Sequence, residues 1–510
     1  MNIAEVLHKI KVREISGSID RRATSLSYDS RDVAPGSLFF AVKGENEDGH
    51  QYIADAISKG AHTVVYDGEV APALMDNPDV LFVGVEDVRL ALAYISATYY
   101  GEPAGKLKLT GITGTNGKTT VSFLAKAAVE ASGTKAGLIG TIQYMTGARI
   151  FEASRTTPES PEFQKLLDEM HREGCTHVVA EVSSHALTQY RVDANAFDVA
   201  VFTNLTRDNL DYHGDMENYF KAKKRLFTEL LKEDGTSVIN VDDEYGRRLV
   251  REITGRKILT YGTGARADIR SAGLRAGSES LDFEIEYAGR VYNMHSPLMG
   301  HFNVYNLLAA FAAGVAHGID EETVINGLSA VQNVRGRFER IDAGQDFNVI
   351  VDYAHTDDAL KNLLESVRRT ARGRVITVFG CGGNRDAGKR PVMGRVATAL
   401  SDYSIITSDN PRNEDPAFII KQVEKGAAGP YLVEADRRDA IFKAVAMASA
   451  GDTVVIAGKG HEIFQEIKGV KHPFDDKVEA EKAIKKYYKG KKKDKKDDSI
   501  GDKVRSVFFG

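Results

Sequence analysis

At 510 residues the chain exceeds what one hydrophobic core holds, and at about 100–200 residues per domain it predicts three units. Its 42% hydrophobic and 27% charged residues are those of a soluble globular protein, no run of about 18 apolar residues offers a membrane span, and a net charge of −5 argues against a general nucleic-acid binder. The two cysteines, Cys175 and Cys381, stand far apart in no CxxC or Cys/His pattern, which argues against a disulfide scaffold or structural zinc; MNIAEVLHKIKVREIS has no apolar signal-peptide core, so a cytoplasmic protein is expected.

Residues 24 to 66 carry short strand-like pieces, SLSYDS, SLFFAV and HTVVYD, around a helix-like HQYIADAISKG, predicting a small α/β unit over 1–105. From residue 107 the strand-like runs LKLTGIT, AGLIGT, THVVAEV, DVAVFTN and TSVINV alternate with helices, as in a doubly wound, mostly parallel sheet over 106–335. Within it 266–297 alternates like an antiparallel insert, and HFNVYNLLAAFAAGVAHG restores a helix. After VRGRFER, the strands FNVIVDYAH, RVITVFG, YSIITSDN and DTVVIAGKG predict a second, Rossmann-like open sheet over 336–488. From 489 the charged, aperiodic end reads as a disordered tail.

The segment LKLTGITGTNGKTTVSFLAKAAVEASG is strand, glycine loop and helix in that order, the context a phosphate loop requires. Gly111, Gly114 and Gly117 let the backbone curl so that N–H groups through Thr115, Asn116 and Thr120 face phosphate oxygens. Lys118 reaches the β and γ phosphates and Thr119 ligates Mg²⁺. Ile112 stands where the standard motif has its first glycine, so this is a variant. An ordinary glycine-rich turn is the bland alternative, and the flanking strand and helix weigh against it. A nucleoside-triphosphate site alone fits a motor, a kinase, a GTPase or a ligase.

The form GITGTNGKTT, followed in order by EVSSHAL at 181–187, FTNLTRDNLDYHGDMENYF at 202–220, GHFNVYN at 300–306, GRFER at 336–340 and DYAHTDDAL at 352–360, resembles the Mur ligases, ATP-dependent amide-bond synthetases of peptidoglycan precursors. The resemblance implies three α/β domains, for UDP-sugar, ATP and amino acid, and transfer through an acyl phosphate. Glu181 ends a strand beside the phosphate-loop strand and is expected to hold a metal with Thr119. His213, among Asp208, Asp211 and Asp215, matches a ligand for a second Mg²⁺. Lys223 matches a lysine that reacts with CO₂ to become a carbamate and a further ligand, although Lys221, Lys223, Lys224 and Arg225 also read as a solvated basic face. Asn303, Asn306, Arg337, Asp352 and His355 match nucleotide-contacting positions; a hinge salt bridge is the alternative for Arg337.

YDSRDVAPGSLFFAVKGENEDG resembles the uridine-binding segment, with Tyr28, Ser30, Glu45, Asn46 and Glu47 as candidates; peptide and diphosphate are expected at Thr156, Thr157, Ser183, Gln189 and Arg191. SDNPRNEDP at 408–416 holds Asp409, Asn410, Pro411 and Arg412, a form that resembles the meso-diaminopimelate signature. Arg412 is expected on the distal carboxylate that lysine lacks, with Arg385, Gly458 and Glu462 at the other end. Asp357 stands where the family usually has Pro, at little expected cost.

The implied reaction adds meso-diaminopimelate to UDP-MurNAc-L-Ala-D-Glu, by a monomer without nucleic-acid partners. An L-lysine-adding ligase, a folylpolyglutamate synthetase, a P-loop NTPase of another class and a non-catalytic nucleotide-binding regulator are the rival readings.

Overall fold

The computed structural model describes residues 1–44, 47–277 and 280–494. Glu45, Asn46 and the end of the charged tail, 495–510, lie outside the described residues. Three large sheets follow one another along the chain, and a two-stranded ribbon, Phe464–Ile467 with Val470–Pro473, follows the last strand of the third.

The first has five strands, ordered Val12–Ser16, Leu81–Val85, Thr63–Tyr66, Ser37–Phe40 and Ser25–Ser27. All neighbours are parallel except the first pair. The expected pieces at 25–66 are all present, with helix Ile53–Ser58 between them.

The central sheet has eleven strands. Its middle is parallel, with Lys108–Thr113 between His177–Glu181 on one side and Phe197–Phe202 on the other. These strands read as nearly continuous apolar runs because helices cover both faces. On one face Lys118–Ala131 packs against Phe302–Ala316 and Glu321–Ser329. It buries Val121, Leu124, Ala125, Ala128 and Val129, the i, i+3, i+4 stripe of a helix on a sheet. Ser160–Arg172 and Met216–Thr228 cover the other face. Strands are added first on one side of Lys108–Thr113 and then on the other, so the crevice beyond its carboxyl end is where an open sheet accepts ligand.

Two expectations change in detail. The stretch expected as an antiparallel insert forms Ile269–Ala276, Leu281–Tyr287 and Arg290–Ser296, which extend the central sheet through the parallel pair Tyr261 and Ile269. At the other edge a hairpin, Gln143–Thr146 and Arg149–Glu152, separates strand Ala136–Ile139 from the helix expected to follow it directly.

The third sheet orders Glu339–Arg340, Asn348–Asp352, Thr453–Ala457, Val375–Phe379, Tyr403–Ile406 and Tyr431–Val433, parallel after the first pair. Asp357 opens helix Asp357–Thr370, capped by Thr356, and a carboxylate there suits the positive end of the helix dipole. The last helix, Asp476–Asp494, continues past 488, so the start of the stretch expected as a tail is helical.

Beneath the central sheet, His317 Nε2 lies 2.6 Å from Thr110 Oγ1, and burial with neighbouring His177 pushes this imidazole down to about 4. An unfolded histidine titrates near 6.5, so between these values the unfolded chain binds a proton that the folded one refuses. This contribution is complete above about pH 6.5 and is lost as pH falls toward 4. Urea unfolding of His317→Gln at pH 7 and pH 5 is expected to show a flatter decline than the parent, by at most about 1.4 kcal/mol per pH unit.

Candidate active site

The loop after Lys108–Thr113 turns on two glycines. Gly114 (φ 152°) and Gly117 (φ 87°) adopt backbone that side chains disfavour, and a Cβ on either would meet Thr203 Oγ1 at 1.9 Å or Asn306 Oδ1 at 2.5 Å. Gly111, expected in the curl, instead lies inside the strand, where a Cβ would strike Phe197; its role is packing. The loop is tied from below, with Thr115 N donating to Asn204 O (2.9 Å), Asn116 N to Asn204 Oδ1 (2.9 Å) and Thr203 Oγ1 to Asn116 O (2.6 Å). Helix Lys118–Ala131 then starts with no side-chain cap, so its N-terminus is presented to the crevice.

Lys118 Nζ folds back to donate to Gly114 O (2.9 Å) and Thr115 O (3.0 Å). Lys223 Nζ donates to the same Gly114 carbonyl at 2.9 Å and lies 4.6 Å from the Tyr219 ring centroid. Lys223 is 1% exposed, whereas Lys221 points outward and Arg225 pairs with Asp193 and Glu229. Burial first, then the proximity of Lys118, pushes the Lys223 ammonium well below the usual lysine range.

Glu181 ends its strand fully buried. Oε1 accepts from Thr141 N (2.8 Å), and Oε2 accepts from Thr141 Oγ1 (2.9 Å) and Thr119 Oγ1 (3.1 Å). The Thr119 and Glu181 oxygens form the kind of hard donor pair that suits Mg²⁺. His213 sits one layer behind, Nε2 at 2.9 Å from Ser184 Oγ, and burial with His185 and Lys223 lowers it to about 4. Asp215 caps helix Met216–Thr228, so of the three nearby aspartates it is structural. Among the described residues no three His, Cys, Asp or Glu side chains gather as a metal cage.

The third sheet closes this crevice. Arg337 Nη2 donates to Thr119 Oγ1 at 2.9 Å, and its guanidinium lies 4.5 Å from the Tyr353 ring centroid. Asp352 fixes the turn after Arg337 by accepting from Phe338 N (2.6 Å) and Ala354 N (2.7 Å). His355 Nδ1 lies 2.9 Å from Tyr353 O. Asn306 Nδ2 donates to Asn303 Oδ1 (2.7 Å), and Asn303 Nδ2 to Met299 O (2.6 Å), which orients Asn306 toward Gly117. Asn116 Nδ2 also donates to Asp358 Oδ2 across the seam at 3.0 Å, and Arg207 pairs with Asp386 at 3.0 Å. Asp358, Thr141 and Asn204 were missed in the sequence; Thr141 had a signal, since it follows the strand beside Glu181. Thr115, Asn116, Thr120, Glu181, Lys223 and Arg337 all line one cavity of about 560 Å³.

Toward the first sheet, Thr156 Oγ1 lies 3.1 Å from Thr141 Oγ1, while Thr157 Oγ1 donates to Glu181 O (2.8 Å) and accepts from Ser183 N (3.1 Å). Arg191 donates to Thr157 O (3.0 Å) and Gln189 Oε1 (2.7 Å). Tyr28 OH donates to Glu162 Oε1 (3.2 Å), Ser30 O accepts from Lys59, and Glu47 accepts from Tyr52 OH.

The amino-acid candidates form a separate cluster in the third unit. Arg412 (φ 51°) sits on a left-handed turn, Nη1 donating to Gly383 O (2.8 Å) and Nε 3.4 Å from Glu466 Oε2. Lys459, fully buried, bridges Asn410 Oδ1 and Glu462 Oε2, both at 2.9 Å. Asp409 is buried with Oδ2 lacking a hydrogen-bond partner, and a Cβ on Gly458 would press on that oxygen at 2.6 Å. Pro411 O abuts Gly383, and Arg385, two residues further along the same loop, is exposed.

Family models match successive parts of the chain: the Mur ligase family catalytic domain over 22–100, the Mur ligase middle domain over 112–314 and the Mur ligase glutamate ligase domain over 336–460. The chain is 44% identical over 493 residues to a UDP-N-acetylmuramoyl-L-alanyl-D-glutamate–2,6-diaminopimelate ligase of Solibacter usitatus, covering 96% of this chain and 99% of that one. It is 45% identical over 503 residues to the ligase of the same name from Geobacter sulfurreducens, covering 94% and 97%. A solved structure of a ligase of that name superposes with a TM-score of 0.67 at 33% identity, covering 96% of this chain and 99% of that chain.

Gly114→Ala places a methyl against Thr203 in disfavoured backbone, so urea unfolding is expected to show a loss of about 2–4 kcal/mol. Adding Thr203→Ala is expected to recover part of that loss, because it removes the clashing hydroxyl.

Proposed function

Since the chain belongs to the Mur ligase family, we propose that it joins meso-diaminopimelate to the D-glutamate of UDP-MurNAc-L-Ala-D-Glu, using ATP, to give the UDP-MurNAc-tripeptide of peptidoglycan synthesis. The observation that carries this reading is the convergence of a phosphate loop, a fully buried carboxylate and a buried lysine in one cavity that the third sheet closes through Arg337.

ATP transfers its γ-phosphoryl group to the D-glutamate carboxylate, breaking the bond to ADP and forming an acyl phosphate. The amine of diaminopimelate attacks the acyl carbon, phosphate leaves, and the amine's proton passes to solvent. Lys118, the helix N-terminus at Gly117 and Arg337 position the phosphates and offset their charge, and no nucleophilic side chain is required. Thr119 and Glu181 would hold one Mg²⁺ and His213 with modified Lys223 a second, and such ions, when bound, would supply positive charge to offset that of the transferring phosphoryl group. The depressed basicity of Lys223 supports its modification: the neutral amine bonds to CO₂ and loses one proton, which turns a buried nitrogen base into an anionic oxygen donor. Asn303 and Asn306 shape the nucleotide side, Asp352 holds the Arg337 turn, and closure of the third sheet keeps water from the acyl phosphate.

For the amino acid, Gly383 and Glu466 orient the Arg412 guanidinium for a carboxylate, and Glu462, with Lys459 beside it, faces the ammonium end. Lysine lacks the second carboxylate and would forgo the contact that this guanidinium offers beyond Glu466. Tyr28, Ser30 and the loop to Glu47 take the uridine; Thr156, Thr157, Ser183, Gln189 and Arg191 take the peptide end. Both cysteines are free and buried, which supports a reducing cytoplasm, and one chain supplies all three walls of the site, so a monomer suffices.

Phosphate release from ATP and UDP-MurNAc-L-Ala-D-Glu is expected with meso-diaminopimelate, to be on the order of a hundredfold or more slower with L-lysine, and absent without an amine. Release without an amine would favour an NTPase, and release with lysine alone would sink the selectivity. Arg412→Ala is expected to erase the preference while leaving the KM for ATP within about twofold. Lys223→Ala is expected to lower kcat by about 10²–10³-fold, and a variant of full activity would remove the carbamate from the mechanism.

A further inference from the structure

Two loops leave the carboxyl ends of neighbouring parallel strands in the third sheet, Val375–Phe379 and Tyr403–Ile406, and one buried cation fastens them together. Arg390, in the first turn of helix Lys389–Leu400, is 1% exposed. Its Nη1 and Nη2 form a fork on Glu414 at 2.9 and 2.8 Å, and Nη2 also donates to Gly382 O at 3.1 Å. Glu414 in turn accepts from Asn384 N. The ion pair therefore grips the loop at 382–384 from two sides while one of its members belongs to the turn at 409–414.

Backbone contacts complete the seam. Gly383 N donates to Asn410 O at 2.9 Å, and a Cβ on Gly383 would lie 1.9 Å from Pro411 O. Asn384 (φ 50°) and Arg412 (φ 51°), one on each loop, are left-handed without being glycine, a conformation that persists only where surrounding contacts over-determine it. The same loops carry the two guanidinium groups expected on the amino acid, Arg412 on one and Arg385, next to Asn384, on the other. Arg412 lies two residues from Glu414, a carboxylate of its own turn placed to neutralise it. Both Glu414 oxygens are instead taken by Arg390, which holds this carboxyl below the usual carboxylate range.

We propose that Arg390 and Glu414 are positioning residues for amino-acid selection: their ion pair sets the spacing of the two loops, and so the aim of Arg412, and keeps the Glu414 charge away from the ligand's carboxylate. Neither group touches the amino acid, and the assignment rests on the diaminopimelate ligase proposed above. A pair that only braced the domain would bear on stability and not on which amine is chosen.

Steady-state phosphate release by the full-length protein, with meso-diaminopimelate and L-lysine compared, tests it. Glu414→Gln and Arg390→Gln are each expected to raise the KM for diaminopimelate on the order of tenfold and to narrow the preference over lysine, with the KM for ATP within about twofold. Arg390→Gln is expected to cost more, because it frees an anion beside Arg412. Glu414→Gln is expected to be milder than Glu414→Ala, because its amide oxygen still accepts from Asn384 N. In an Arg412→Ala background neither replacement is expected to change the diaminopimelate-to-lysine ratio further. The Glu414 side chain is 27% exposed, so its variants carry the test even where Arg390→Gln fails to fold. An unchanged ratio in Glu414→Ala overturns the assignment, as does an equal rise in the KM for ATP and diaminopimelate, which marks a structural role. A parent whose phosphate release does not depend on diaminopimelate overturns the ligase reading itself, and the assignment with it.

Discussion

A carboxylate with no solvent exposure survives only if its lone pairs are occupied, and Glu181 meets that condition through Thr141 and Thr119. Those contacts join the carboxyl end of one strand to the first turn of the helix after the phosphate loop and to the segment leading to Thr156. Arg337 reaches the same Thr119 hydroxyl from the third sheet, so the orientation of an entire unit is referred to one buried acid. Thr157 on the Glu181 carbonyl carries the same reference toward the first unit.

Around that anchor the electrostatics are lopsided by design of the fold. Lys118 and Lys223 share one carbonyl, Gly114 O, and two ammonium groups that close cannot both stay charged at little cost. Burial pushes both below the ordinary lysine range, and Lys223, 1% exposed and without the Glu181 carboxylate that opposes the shift at Lys118, is driven the further. The amino-acid cluster solves a similar problem differently, setting the buried Lys459 against Glu462 and Asp409.

The order of strands and the phosphate loop were legible because parallel strands buried on both faces appear as apolar runs, and because the glycine loop has a strand before it and a helix after it. Lys223 was distinguishable from its neighbours only by motif, since helical periodicity cannot rank Lys221, Lys223 and Lys224 by burial. Gly111 misled for a local reason: a glycine inside a strand and one in a turn look alike in sequence, and only the Phe197 ring beside it shows which it is. The hairpin at 143–152 went unseen because its outer strand is exposed throughout and so carries no alternation. Asp358 could not be found from spacing because its partner is fixed by how two sheets meet, and Asn204 because its partners follow a neighbouring strand distant in sequence.

The Asn116–Asp358 contact has a pharmacological corollary. It joins the tip of the phosphate loop to the first turn of a helix in another unit, and neither residue belongs to the reacting groups. A rigid compound wedged there would hold two intact sheets apart, so its potency would depend on the width of a seam as well as on the nucleotide cavity that both residues line.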